Sequence, residues 1–166
     1  MAGADFFNEP LRNHTETPVE LHRHLTIKSP PELIWDVITN LRQAKEWAPG
    51  FDDYPYISPE WPALGAKAVW RYHAGPFSFD FQLTITESIR GEALQIANRS
   101  ALGRGLEVFG FEKDRDLTTV DYQASNAPSW LGHLAMPFLN KKLNRQADVT
   151  VANLKSHCER LAREAS

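Results

Sequence analysis

The sequence has a single cysteine in 166 residues, so no internal disulfide is available to hold the fold. Cys158 stands among apolar residues at helical spacing, which marks it as a small buried hydrophobe and not a reactive thiol. No apolar run approaches the roughly 18 residues of a membrane span. The first segment, MAGADFFNEPLRNHTETP, has neither the basic start nor the apolar stretch of a secretory signal. The expectation is therefore a cytoplasmic protein without redox chemistry or stable membrane insertion. Basic blocks are missing too: 18 basic and 21 acidic residues are scattered to a net charge of -3. With no surface to track phosphates, nucleic acid is not an expected partner.

Catalytic signatures are equally scarce. The G-x-S-x-G and H-E-x-x-H patterns are absent, and Gly103-Arg104-Gly105 lacks the third glycine and helix start of a dinucleotide loop. Standard hydrolase and nucleotide chemistries thus find no support, and no cofactor is expected. Nothing repeats at a fixed period and no segment is of low complexity.

What is present is enough greasy side chain for one core: 42% of residues are apolar and 23% charged, in a length that suits one domain. Residues 1–17 read as a tail, and 18–166 as a single domain. The stretch 19–28 alternates, with Val19, Leu21, Leu25 and Ile27 on one face, which predicts a half-buried strand. Ser29, Pro30 and Glu32 then make a capping box for a helix carrying Leu33, Ile34, Val37, Ile38 and Leu41. A second short helix runs toward Trp47 and stops at Pro49-Gly50, and a short strand is expected around residues 54–58.

From Ala66 the period becomes two. Ala68, Trp70 and Tyr72 share a face, a turn follows at Gly75-Pro76, and Phe77, Phe79, Phe81, Leu83 and Ile85 share a face of the returning strand. Three more strands are expected at 92–100, 104–113 and 117–125. Connections this short cannot carry crossover helices, so the sheet is an antiparallel meander. Met136, Leu139, Leu143, Ala147, Val151, Leu154, Cys158 and Leu161 then recur at steps of three and four, predicting one long amphipathic helix. Pro137 marks its start or a kink, with 129–136 as an approach segment or short helix. The order is an α+β arrangement in which a strongly curved antiparallel sheet of six to seven strands grips the long helix, with two short helices after the first strand.

Residues 27–51, IKSPPELIWDVITNLRQAKEWAPGF, carry the most specific motif: a strand, a Pro-Pro helix start, then Glu-Trp-x-Pro-Gly. In this, and over roughly 19–162, the chain resembles the START-like (SRPBCC) superfamily, which includes the birch pollen allergen family and bacterial polyketide cyclases. The resemblance implies a helix-grip fold with a ligand cavity roofed by the last helix and reached near the short helices. Members bind lipids, sterols, quinones, plant hormones or polyketides, some catalyse cyclisation or dehydration, and the Hsp90-activator members are interaction modules. Fold alone does not choose among them.

The candidate ligand-binding residues follow from placing the aromatic strands against that cavity. Trp70, Tyr72, Phe77, Phe79 and Phe81 would form an aromatic wall suited to a ring-bearing ligand, or simply fill the core. Trp47 and Trp130 stand at the expected mouth. Met136, Phe138 and Leu139 are candidates for the roof. Arg99 would bind a carboxylate or enolate if it turned inward, and His73 would serve as a general acid or base if it reached the pocket. Glu107 and Asp121 alternate with apolar neighbours and are expected to face solvent. His22 and His24 offer half of a metal site, but spacing picks out no further ligand, so no metal is assigned. The expected partner is a hydrophobic small molecule, with catalytic residues unassigned, and Phe6 and Phe7 offer a homodimer contact.

Overall fold

The computed structural model describes residues 19–51, 53–74 and 76–165, the side chains of 19, 20, 74 and 136–144 excepted. The elements follow in the order β1 (Val19–Ile27), α1 (Pro31–Thr39), a 3-10 helix (Leu41–Glu46), β2 (Tyr56–Ile57), β3 (Lys67–Ala74), β4 (Phe77–Ile89), β5 (Ala93–Ser100), β6 (Gly103–Asp114), β7 (Leu117–Pro128) and α2 (Trp130–Glu164). The strands form one antiparallel sheet in the order β1-β7-β6-β5-β4-β3-β2. A bulge in β4 between Ile85 and Glu87 shifts its register against β5, and a bulge of this kind bends the strand and sharpens its twist. Among the described residues, no helix is long and apolar enough to cross a membrane.

The short helices differ from expectation in their cap. Ser29 does not cap α1: the N-cap is Pro30, with no side-chain cap bond, and Pro31 is the first helical residue. The Pro30 carbonyl accepts from Leu33 N (3.1 Å) and Ile34 N (3.2 Å). Ser29 is instead buried, and its carbonyl accepts from the equally buried Thr118 hydroxyl at 2.7 Å. Arg90, in the turn after β4, grips Asp36 of α1 through both carboxylate oxygens.

The long helix also departs from the reading at its start. It begins at Trp130 and runs 35 residues without a break, through position 137. Its first turn is capped by Ser129, whose Oγ accepts from Gly132 N at 3.1 Å. Near its end, Lys155 Nζ donates to the Thr26 carbonyl (2.7 Å) and Glu159 accepts from Lys28 N (3.1 Å). The helix thus crosses the concave face from the β5–β6 hairpin to the end of β1. Leu154 and Cys158 press from it into Ile27, Ile34, Ile38, Leu94 and Val120, the centre of the core. Burial pushes the Cys158 thiol up to about 12, leaving it protonated and inert.

Candidate functional site

Strand register defines what the concave face presents. Buried Ala68 and Tyr72 place Trp70 inward with them on β3, and the β3–β4 pairing sets Trp70 against Phe81 and Tyr72 against Phe79. The Trp70 ring lies 5.0 Å from Phe81 and 5.5 Å from Tyr72, centroid to centroid, and stacks on Phe51 at 4.3 Å with planes 6° apart. Offset and stacked aromatic contacts at these separations are favourable beyond the area they bury. The sequence-predicted wall is therefore assembled from Trp70, Tyr72, Phe79 and Phe81, joined by Phe51 from the loop after the 3-10 helix.

Across the sheet, inward Ile96 and Leu94 of β5 pair with Glu107 and Phe109 of β6, which pair in turn with Ala124 and Tyr122 of β7. Glu107 consequently points inward, opposite to the solvent-facing position expected for it. The sequence misleads here because the outer face of β6 carries Leu106 and Val108, while the inner face carries Gly103, Gly105 and Glu107. The apolar alternation thus has the wrong phase. The next inward row along these strands is Asn98, Gly105 and Asn126. A Cβ at Gly105 would run into both asparagine side chains, so the glycine is what lets them meet over it.

The inner face is unevenly covered. Where the second half of α2 lies, Ile27, Ile85, Leu94, Val120 and Cys158 are essentially inaccessible. Along the remainder, Trp70, Phe79, Phe81, Asn98, Glu107 and Tyr122 are only half-buried. Glu107 combines partial coverage with strong desolvation, which pushes its carboxyl up to about 7, with the Tyr122 contact pulling the other way. Tyr122 OH stands 3.5 Å from Glu107 Oε2, and burial and the neighbouring carboxyl push the phenol well above its usual range. Phe109 packs on Tyr122 with centroids 4.7 Å apart. From β1, Arg23 faces the same interior and reaches Asp148 of α2 at 3.4 Å.

A cleft of about 420 Å³ opens beside the aromatic wall, lined by Pro49, Gly50, Tyr72, His73, Gln146 and Val149 among others. The loop on its rim is tied down at both neighbours: Trp70 Nε1 donates to the Gly50 carbonyl (3.2 Å), and the Gln146 amide of α2 donates to the Pro49 carbonyl. Arg71 N donates to the Asp53 carbonyl at 2.8 Å. A larger groove of about 600 Å³ lies at the other end of the molecule, among Lys28, Pro30, Leu33, Arg115, Glu159 and Arg163. It flanks the filled end of the core, away from the rings, and its rim is mostly charged.

The remaining candidates fall in different places. Trp47 packs against the core with its indole N–H buried. Arg99 is exposed on the outer face, paired across the sheet with Gln82 and Arg104, because inward Leu94 and Ile96 leave their odd-numbered neighbours outside. Phe77 is 67% exposed at the β3–β4 hairpin and Trp130 is 76% exposed at the first residue of α2, so neither joins the wall. His73 lies on the outer face, at the cleft rim, with Nε2 2.8 Å from Asp53 Oδ2. The side chains of Met136, Phe138 and Leu139 lie outside the described residues, as do the tail 1–17 with Phe6 and Phe7, and Gly75 of the hairpin turn.

No family model and no curated protein matches the sequence. Solved structures do match. The Zhui aromatase/cyclase from Streptomyces sp. R1128 superposes with a TM-score of 0.71 at 11% identity, covering 90% of this chain and 99% of that one. The Aha1 dimer from Colwellia psychrerythraea gives 0.59 at 19% identity, over 85% and 97%. A major latex-like protein from Panax ginseng gives 0.59 at 10% identity, also over 85% and 97%. The chain has a helix-grip fold, a curved antiparallel sheet around a long C-terminal helix. At these identities the likeness is one of fold, on which several functions are built.

Proposed function

We propose that the chain binds a hydrophobic, ring-containing small molecule, lipid-, quinone- or polyketide-like, in a cavity between the sheet and the first half of α2. The observation that carries this reading is Glu107. Its carboxyl is cut off from bulk water strongly enough to hold its proton to about pH 7, yet the residue keeps accessible surface. It stands on the inner face with the half-buried rings, where a polar group can meet a ligand. Apolar walls with a few convergent polar groups are the usual make-up of a small-molecule site, and here rings stand on β3 and β4 with Glu107, Tyr122 and Asn98 beyond them.

The same carboxyl favours a second reading, a cyclase or dehydratase. An acid that releases its proton near neutral pH is matched to proton transfer at a ligand carbon or oxygen, and the fold is shared with an aromatase/cyclase. An interaction module of the Hsp90-activator kind would need no space inside.

Native mass spectrometry of the purified protein, followed by denaturation, tests the binding reading. The expected result is a small hydrophobic compound released on unfolding, or a thermal shift with members of a lipid, quinone and polyketide panel. An empty protein that no panel member stabilises overturns it and favours the interaction module. Once a ligand is in hand, turnover by the wild type that Glu107→Gln abolishes while binding persists decides for the enzyme. Binding without turnover decides for the carrier.

A further inference from the structure

His22 and His24 stand two apart on β1, so both project from the convex, outer face of the sheet, and the β1–β7 register sets Asp121 directly across from His24. His22 Nε2 lies 2.5 Å from Asp121 Oδ1, and His24 Nδ1 lies 3.5 Å from the same oxygen. The two rings are 4.4 Å apart, tilted 56° to each other. Among the described residues this is the one place where three side chains of metal-ligating type bring a donor atom each to within 4.8 Å of one another. The other carboxylate oxygen is occupied: Gln123 Nε2 donates to Asp121 Oδ2 at 3.3 Å. That contact orients the carboxylate and leaves Oδ1 to the histidines, as outer partners of ligating carboxylates do.

We propose that His22, His24 and Asp121 form a binding site for a late first-row divalent cation, Zn²⁺ foremost. Tetrahedral zinc with bonds of roughly 2.1 Å sets its ligands about 3.4 Å apart. The His24–Asp121 separation matches that spacing as it stands, and the His22–Asp121 pair needs to open by about 1 Å, within reach of side-chain rotation at an exposed site. Two imidazoles and one carboxylate suit Zn²⁺, Ni²⁺ or Cu²⁺ and are a poor set for Mg²⁺, which demands oxygen ligands. Three protein ligands on an open surface leave the fourth position to water or an anion. Binding also joins β1, the edge of the sheet, to β7. The site lies on the face opposite the proposed ligand cavity and is independent of it.

Isothermal titration of tag-free protein with ZnSO₄ tests the proposal, with MgCl₂ as the comparison. One Zn²⁺ per chain is expected with micromolar affinity, no response to Mg²⁺, and a rise of several degrees in Tm with zinc. His24→Ala and Asp121→Asn should each weaken zinc at least tenfold. His73→Ala, which removes the other exposed histidine–aspartate contact on the outer face, should not. All three side chains are exposed, and circular dichroism without zinc confirms that each variant folds. Absence of zinc binding by the wild type, or binding that His22→Ala, His24→Ala and Asp121→Asn all retain, overturns the assignment. So does binding that follows His73.

Discussion

Two inward groups are set against each other by chemistry at the residue scale. Glu107 holds its proton in the fold to about pH 7, against 4.5 for an ordinary glutamate. Between those values the folded chain binds more protons than the unfolded one, so stability falls as pH rises through this window and levels above it. The full difference is up to about 3 kcal/mol. Glu107→Gln keeps the shape and removes the charge. It should match the wild type in urea denaturation at pH 4.5, exceed it at pH 8 by up to that ~3 kcal/mol, and remove that part of the slope between. An unchanged slope would mean that the carboxyl is solvated. Thr118 works the other way: fully buried, it donates to the Ser29 carbonyl at 2.7 Å. Thr118→Val leaves that carbonyl unpaired and should cost about 1–3 kcal/mol by the same measurement, while Thr118→Ser should recover part of it.

Among the elements, the start of α2 is held by the β5–β6 hairpin. Ser129 Oγ accepts from Gly132 N, Ser129 donates to the Ala101 carbonyl at 2.7 Å, and the Leu102 carbonyl lies over the Gly132 Cα. Ser129→Ala should lower stability by about 1 kcal/mol through loss of the cap. Gly132→Ala gains roughly 1 kcal/mol of helix propensity, but its Cβ would strike backbone, so it should be net destabilising by about 1–3 kcal/mol. Thermal melts of both variants check the pair, and a more stable Gly132→Ala would show that the contact yields. Such contacts explain what the chain reveals of itself. β4 is legible because its inner residues, from Phe77 to Ile85, are apolar throughout. β6 is legible as a strand but not in its phase, since Gly105 and Glu107 stand inside and the half-buried outer face carries Leu106 and Val108. The true start of α2 and the Thr118–Ser29 bond depend on residues far apart in the chain, as does Asp121 opposite His24.

For the whole molecule, the decisive feature is that the concave face is closed over Ile27, Leu94 and Val120, while Trp70, Phe81, Glu107 and Tyr122 stay half-buried. Leu154 and Cys158 close the first group, and cutting Leu154 to Ala there should cost about 2–5 kcal/mol. Beside the rings the covering element is the loop through Pro49 and Gly50, latched by the Gln146 amide and the Trp70 indole. The latch spans the rim of the cleft and joins the loop to α2. Gln146→Ala removes one neutral hydrogen bond at an exposed site, a loss of about 1 kcal/mol or less to the fold. If the loop is the gate to the cavity, that loss falls on the closed state of the gate. Ligand dissociation, followed by tryptophan fluorescence of the Phe51–Trp70 stack, should then quicken by about three- to tenfold with Tm nearly unchanged. A lower Tm with an unaltered dissociation rate would instead make the latch a structural brace and place the mouth elsewhere along α2.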